Sequence, residues 1–336
     1  MAKLSDFTSL HVGGSAREFL RVSTEKELIA AIDAADSSGK KVLILGGGSN
    51  LLISDENFEG VVIKVETTGN SYEIDACSGG MLQVAAGDNW DEFVAFTLNK
   101  GLANLESLSG IPGTVGGAPI QNIGAYGHEV SEVIARVRVY DRTAKEIKTF
   151  AAADCDFSYR SSRFKKEPGR YVILDVTFQL RRGEESLPIQ YAELASELGV
   201  SIGDRVNTHL VREAVLKLRT RKGMVDGAVW SAGSFFTNPV ISQELANTLP
   251  EDAPRWPQPD GRIKTSAAWL MEHAGVKKGD AHNGAAISPH HVLALTNSGT
   301  ASAKDIIELA REARAKVKAA FGITLEPEVQ FVGVEL

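Results

Sequence analysis

A chain of 336 residues exceeds the size at which one hydrophobic core keeps growing, so two or three packed domains are expected. Apolar residues at 43% and charged residues at 24% match an ordinary soluble globular protein and exclude extensive disorder. With 36 basic and 43 acidic side chains the net charge is −7, which argues against a nucleic-acid binder because phosphate contacts demand a basic face.

The amino terminus, MAKLSDFTSLHVGG, carries neither an apolar signal region nor an Arg-rich amphipathic pattern, and no apolar run reaches membrane-spanning length. A cytoplasmic protein without membrane partners is expected. Cys77 and Cys155 lie far apart with no C-x-x-C spacing, so neither a zinc cluster nor a disulfide framework is expected, and both read as buried thiols.

In chain order, EFLRVS reads as a strand and TEKELIAAIDAADSSG as a helix opened by a capping box, Thr24 with Glu27, and closed by Gly39. KVLILGGGSNLLIS is a buried strand that runs into a glycine turn. The continuation LLISDENFEGVVIKV is strand-like, so the helix that a dinucleotide fingerprint needs after its glycines is missing and this is not a Rossmann unit. Residues 71–87 alternate as strands do, and NWDEFVAFTLNKG is an amphipathic helix ended by Gly101.

The segment SLSGIPGTVGGAPIQNIGAYG, residues 107–127, is rich in glycine, holds Pro112 and Pro119, and has no charged side chain. It cannot form a long element but can present backbone N–H groups at close range, because glycine has no Cβ to hold a ligand away. With GGGSN it could grip both ends of a large cofactor; the alternative is a tight turn between sheets.

EVIARVRVYDR, KEIKTF and YVILDVTFQLRR read as strands, with Arg160 and Arg163 in the connection DCDFSYRSSRFKK beside Tyr159 and Phe164. RVNTHLVREAVLKLRTRKG is a helix whose carboxyl end collects Lys217, Arg219, Arg221 and Lys222, where cations favour the helix dipole. LPEDAPRWPQPDG is a surface loop. SAAWLMEHAG is a helix, GAAISPHHVLALTN a strand, and SAKDIIELAREARAKVKAAFG a long helix entered through Ser302 and Asp305; ITLEPEVQFVGVEL is a closing strand that carries Glu326, Pro327 and Glu328. A composition change near Gly203 and Asp204 suggests a domain boundary. No metal ion is expected: His290 and His291 have no third ligand at a suitable spacing, and His11, His128, His209, His273 and His282 read as structural or solvated.

SAGSFFTNP, residues 231–239, holds Ser234 between small residues and two phenylalanines. Its flanks do not spell the G-x-S-x-G of a nucleophile elbow, which leaves a packed turn serine or some other use of the hydroxyl.

LGGGSNLL, SGIPGTVGGAPIQNIGAYG, YRSSRF, AGSFFTNP and LEPEVQF occur in the order and spacing of the UDP-N-acetylenolpyruvoylglucosamine reductase family, flavoenzymes of bacterial peptidoglycan synthesis, and the resemblance covers nearly the whole chain. IQYAEL resembles the subclass that closes a tyrosine loop over its substrate. The resemblance implies an α+β protein: a two-part FAD-binding unit of the vanillyl-alcohol-oxidase type (residues 1–66, and 67–203 with 324–336) and an α+β substrate-binding domain (residues 204–323). The cofactors implied are FAD and NADPH, the partner a small-molecule UDP-sugar, and a monomer is the working expectation. Hydride would pass from reduced flavin to C3 of the enolpyruvyl group, and a proton would reach C2.

By the same resemblance Arg160 is the charge-stabilising arginine, Glu328 its carboxylate partner and Ser234 the general acid. Gly47, Gly48, Ser49, Asn50, Leu51, Ser109, Gly110, Ile111, Pro112, Gly116, Gly117, Gln121, Asn122, Gly124, Ala125 and Ile173 match the flavin cradle. Tyr126, Tyr191, Lys222, Asn238, Trp256, Lys264 and His291 match substrate-contacting positions, although Trp256 stands where a tyrosine is commoner. Two rivals are another flavin-linked oxidase or dehydrogenase of the same fold, and a nucleotide-sugar binding module without chemistry.

Overall fold

The alternation of strands and helices is present in the computed structural model, which describes every residue except 76, 226 and 228. The chain divides into two compact units: Met1–Ala2, Ala16–Gly47 and Glu59–Arg221 in one, Lys3–Ser15, Gly48–Phe58 and Lys222–Leu336 in the other.

In the first unit the helix Glu25–Ser37 starts as its sequence dictates. The Thr24 hydroxyl accepts from the Glu27 N–H at 3.2 Å, and the Glu27 carboxylate accepts from the Thr24 N–H at 3.1 Å. Leu28 and Ile32, one turn apart, are fully buried on its inner face. Strand Lys41–Leu45 runs parallel to Phe58–Val65, with Leu43 opposite Val62, and Ser15–Val22 lies on the far side of Phe58–Val65.

A larger antiparallel sheet follows, in the order Glu146–Ala151, Ile134–Asp141, Tyr171–Arg182, Gly79–Ala85, Asn70–Asp75. Every residue from Val172 to Phe178 is buried, which explains the near-continuous apolar run of this central strand. The one carboxylate inside that run, Asp175, is satisfied by the Arg138 guanidinium at 2.7 Å and the Gln83 amide at 2.9 Å. Trp90 and Phe93 of the helix Trp90–Asn99 pack against Phe178, with Phe93 and Phe178 rings 4.9 Å apart. Helices Ala192–Leu198 and Thr208–Arg221 share a smaller core of Leu194, Val211, Val215 and Leu218.

In the second unit, strands Trp230–Ser234, Ala294–Asn297, Ala285–Ile287 and Ala281–His282 form an antiparallel sheet on which the helix Ala303–Phe321 packs. Ser302 and Asp305 form the capping box at its start, and Gly322 closes it at φ +69°. Leu10, Val12 and Leu52 join the core of this unit.

Four expectations are corrected. GAAISPHHVLALTN is two strands, Ala285–Ile287 and Ala294–Asn297, because a Ser-Pro turn interrupts the run. The closing segment contributes only Gln330–Val332, paired in parallel with Leu51–Ile53. The proline-rich loop contains the short strand Trp256–Pro257, which pairs with Ile263–Lys264 at a sheet edge where a missing N–H is tolerated. Cys155 is buried but Cys77 is exposed, in the turn behind the outer strand Asn70–Asp75, which is itself exposed along its length.

Candidate active site

In the first unit the two glycine-rich segments meet backbone to backbone. A Cβ on Gly47 would lie 2.5 Å from the Gly113 Cα, and one on Gly46 2.7 Å from the Thr114 hydroxyl, so this contact requires glycine. Gly116 is held the same way, its N–H donating to the Ala86 carbonyl at 2.8 Å. Gly117, by contrast, is exposed, with open space where its Cβ would be. Ser109 is buried and donates to the Glu106 carbonyl at 2.7 Å. Gly110, at φ +70°, donates its N–H to Asp91 at 2.6 Å. Ile111 packs on the edge of the large core, and Ile173 is inside it, opposite Val139. Pro112 lies exposed between Ile111 and Gly113.

Gln121 and Asn122 close a short helix, and Asn122 takes the left-handed conformation at φ +45°. Gln121 accepts from the Lys165 ammonium at 2.7 Å. Arg160 sits in a tight turn bridged by Ser158 and Ser161 and donates to the Gly124 carbonyl at 2.6 Å. Its guanidinium also faces the Tyr159 ring, 5.2 Å from the centroid. Ala125 pairs with His128 in the two-residue ladder that follows. Tyr126 and Tyr191, predicted at the substrate, meet edge to face with centroids 5.8 Å apart, and burial pushes the Tyr126 phenol up to about 12.

Sequence reasoning missed three residues here. In the sequence Arg219 reads with Lys217, Arg221 and Lys222 as helix-end electrostatics. Lys217 instead pairs with Glu197 at 2.7 Å and Arg221 pairs with the same carboxylate, while Arg219 turns inward and its Nε–H donates to the Gly110 carbonyl at 3.1 Å. Burial pulls its guanidinium below the ordinary arginine value, against the opposing influence of Tyr126 and Asp91. Asp91 is itself gripped by both Arg212 Nη atoms, at 2.6 and 2.7 Å. The seven-residue spacing of Arg212 and Arg219, two turns along one helix face, is the available signal, but nothing in it names the loop they meet.

In the second unit Ser234 ends its strand opposite Ala294, just after Gly233 at φ +73°. Residues after it pair backward with the carboxyl-terminal segment: Phe236 bridges Pro327, the Thr237 N–H donates to the Glu326 carbonyl at 2.9 Å, and the Glu328 N–H donates to the Phe235 carbonyl at 2.8 Å. Two residues far apart in sequence, Ser234 and Glu328, are thereby neighbours. The Asn50 side-chain amide donates to the Glu328 carbonyl at 3.1 Å, and the Gln330 N–H donates to the Asn50 carbonyl at 3.0 Å. Gly48 takes φ +66° with its Cα pressed against the Phe7 carbonyl; the Ser49 carbonyl accepts from the Ser9 hydroxyl at 3.3 Å, and Leu51 begins the strand paired to Gln330.

His291 lies with its Nε2 3.4 Å from the Ser234 Oγ, a contact that sequence spacing does not reveal. Trp256 and Lys264 are opposite one another across strands, the ammonium 5.9 Å above the indole. Asn238 accepts from the Ala267 N–H at 2.9 Å at the start of a helix, and Lys222 directly follows the helix Thr208–Arg221. His282, read as structural or solvated, hydrogen-bonds Glu308 at 2.7 Å in a group with Asp305.

Residues 225–332 match the family model for the UDP-N-acetylenolpyruvoylglucosamine reductase C-terminal domain, and residues 16–149 match that for an FAD binding domain. The UDP-N-acetylenolpyruvoylglucosamine reductase of Cutibacterium acnes is 52% identical over 98% of this chain and 89% of its own length. That of Thermobifida fusca is 49% identical over 99% of this chain and 97% of its own. The chain belongs to the UDP-N-acetylenolpyruvoylglucosamine reductase family. The crystal structure of the Thermus caldophilus reductase aligns over 98% of this chain and 97% of that one, with TM-score 0.68 and 26% identity. The α+β fold expected from the sequence, with a flavin-binding part of the vanillyl-alcohol-oxidase type, agrees with these matches. The charge-free loops of the first unit fit an FAD, since Gly46, Gly47 and Gly116 pack without side chains while Gly117 opens outward. No helix among the described residues is long and apolar enough to cross a membrane.

Proposed function

We propose that Arg160, Ser234 and Glu328 carry the chemistry of the reaction that family membership assigns to this chain, reduction of UDP-N-acetylenolpyruvoylglucosamine, with NADPH as hydride source. FAD, when bound, supplies a ring that accepts a hydride and passes it on. Gly47, Gly48, Ser49, Asn50 and Leu51, with the Ser109–Ala125 loop residues and Ile173, are the positions that would hold it.

Hydride addition at C3 of the enolpyruvyl group leaves negative charge on C2 and the carboxylate, which must be stabilised and then protonated on one face. Arg160 stabilises that charge; its planar guanidinium can grip a carboxylate in a way an ammonium cannot. Ser234 delivers the proton to C2. A serine is a weak acid in water, but a carbanion-like carbon is a strong base, and Phe235 and Phe236, each 1% exposed, keep competing water from its flank. Glu328 is the carboxylate partner. The observation that supports this assignment most directly is the Glu328 N–H to Phe235 carbonyl hydrogen bond of 2.8 Å, which joins the backbone next to Ser234 to the backbone of Glu328.

Tyr126, Tyr191, Lys222, Asn238, Trp256, Lys264 and His291 bind the UDP-sugar, the two lysines suiting its diphosphate. In this reading residues 1–66, and 67–203 with 324–336, serve the flavin, and 204–323 the substrate. The protein works as a cytoplasmic monomer, without nucleic-acid or membrane partners. The test is anaerobic: NADPH should bleach the flavin of the holoprotein, and the enolpyruvyl sugar nucleotide should restore its colour. Rapid reoxidation by oxygen with no response to the sugar nucleotide would favour the flavin-oxidase reading instead.

A further inference from the structure

We propose that Glu129 is the positioning residue for Arg160, a fixed carboxylate that sets the orientation of the guanidinium. The inference rests on Arg160 acting as the charge-stabilising residue.

The backbone of Arg160 is already constrained. It takes φ +51°, a left-handed conformation that costs a non-glycine residue about 1 kcal/mol or more, inside a turn locked by reciprocal Ser158 and Ser161 hydrogen bonds of 3.0 Å. Such strain persists only where surrounding contacts hold it. The guanidinium is fixed on its inner side by two carbonyls, Gly124 at 2.6 Å and Asn122 at 3.5 Å, and faces a Glu129 carboxylate oxygen at 3.9 Å. The last distance is too long for a hydrogen bond, so the attraction is Coulombic. With side-chain exposures of 17% for Arg160 and 30% for Glu129 it is less screened than a surface pair.

Glu129 is itself anchored. Its other carboxylate oxygen accepts from the Asn122 side-chain amide at 2.7 Å; that amide also donates to the Ser158 carbonyl at 3.0 Å, and its oxygen accepts from the Ser131 N–H at 3.1 Å. Asn122 therefore ties the carboxylate to the same turn that carries Arg160. Glu129 pairs with Gly124 in a two-residue ladder, and both side chains pass over the bare Gly124 Cα. A Cβ there would lie 2.7 Å from the His128 carbonyl oxygen, 2.9 Å from an Arg160 Nη and 3.0 Å from the Glu129 Cγ. The glycine makes room for this crossing, and the Glu129 carboxylate faces the same Nη that points to the Asn122 carbonyl, while the other Nη donates to Gly124.

The experiment compares Glu129→Gln with its parent in the wild-type chain and in an Arg160→Met background, on FAD-loaded protein. Glutamine keeps an acceptor for Asn122 and removes only the charge. In the wild-type background, reoxidation by the enolpyruvyl sugar nucleotide should slow by about ten- to a hundredfold, the loss that a small misplacement of a catalytic group produces. Reduction by NADPH should stay within about twofold, and in the Arg160→Met background the same change should add nothing, since coupled residues are not additive. Equal slowing in both backgrounds would assign Glu129 a merely structural role, and unchanged reoxidation would remove its role altogether; either overturns the proposal. If Arg160→Met itself reoxidises at the parental rate, the reading of Arg160 fails instead. Should Glu129→Gln not retain FAD, Glu129→Asp decides: partial slowing confined to reoxidation supports the proposal, and parental reoxidation rates contradict it.

Discussion

Phe236→Ala probes how the segment behind the proposed acid is held. The ring is 1% exposed, lies in the core of the second unit, and meets Phe235 edge to face at 5.1 Å and 69°. Truncating a buried phenylalanine costs about 3–5 kcal/mol, through lost transfer energy and the cavity left behind, and about 1 kcal/mol of that belongs to the aromatic pair. At about 2–4 °C per kcal/mol for a unit of this size, the midpoint should fall by roughly 10 °C. Scanning calorimetry of the FAD-loaded protein reads the shift, with Phe236→Leu as a smaller step that leaves most of the volume filled. A midpoint within about 2 °C of the parent would correspond to less than about 1 kcal/mol and would refute the packing argument.

Arg160→Lys should slow reoxidation by the enolpyruvyl sugar nucleotide about tenfold or more while NADPH reduction stays near the parental rate, because an ammonium loses the planar grip; stopped-flow absorbance checks it, and an unchanged second phase would contradict it. Asp141 supplies a pH test. Burial alone would raise its carboxyl, yet hydrogen bonds from Lys148 at 2.8 Å and Arg170 at 3.1 Å, with the Ala144 and Thr143 N–H groups, hold it far below the usual range. A depressed carboxyl stabilises the fold above its unfolded value of about 3.9 and loses that contribution as pH falls toward the folded one. Asp141→Asn should therefore lower the melting midpoint at pH 7 and flatten its decline below about pH 4, where parallel curves for parent and variant would contradict the assignment.

Local chemistry was legible in the sequence wherever it was local. The Thr24 and Ser302 capping boxes, the glycine-bearing loops and the strand Tyr171–Arg182 are written within a few residues, and each forms as its pattern requires. The order of five motifs carried the family. What stayed hidden depends on partners distant in the chain. Arg219 reads as a dipole cation until the Gly110 loop is seen against it, and Glu129 has no motif of its own because its partner, Asn122, acts through a left-handed turn. The exposure of Cys77 is hidden for a similar reason: whether a turn thiol is covered depends on what lies over the sheet edge, and the Asn70–Asp75 strand is exposed.

The most direct measurement is the rate of each half-reaction in Ser234→Ala, followed anaerobically through flavin absorbance. Reduction by NADPH should proceed at nearly the parental rate, while reoxidation by the enolpyruvyl sugar nucleotide should slow by about a hundred- to ten-thousandfold, the contribution of a positioned general acid. Equal slowing of both phases would reassign the hydroxyl to cofactor placement, and a parental second phase would mean that the proton comes from elsewhere.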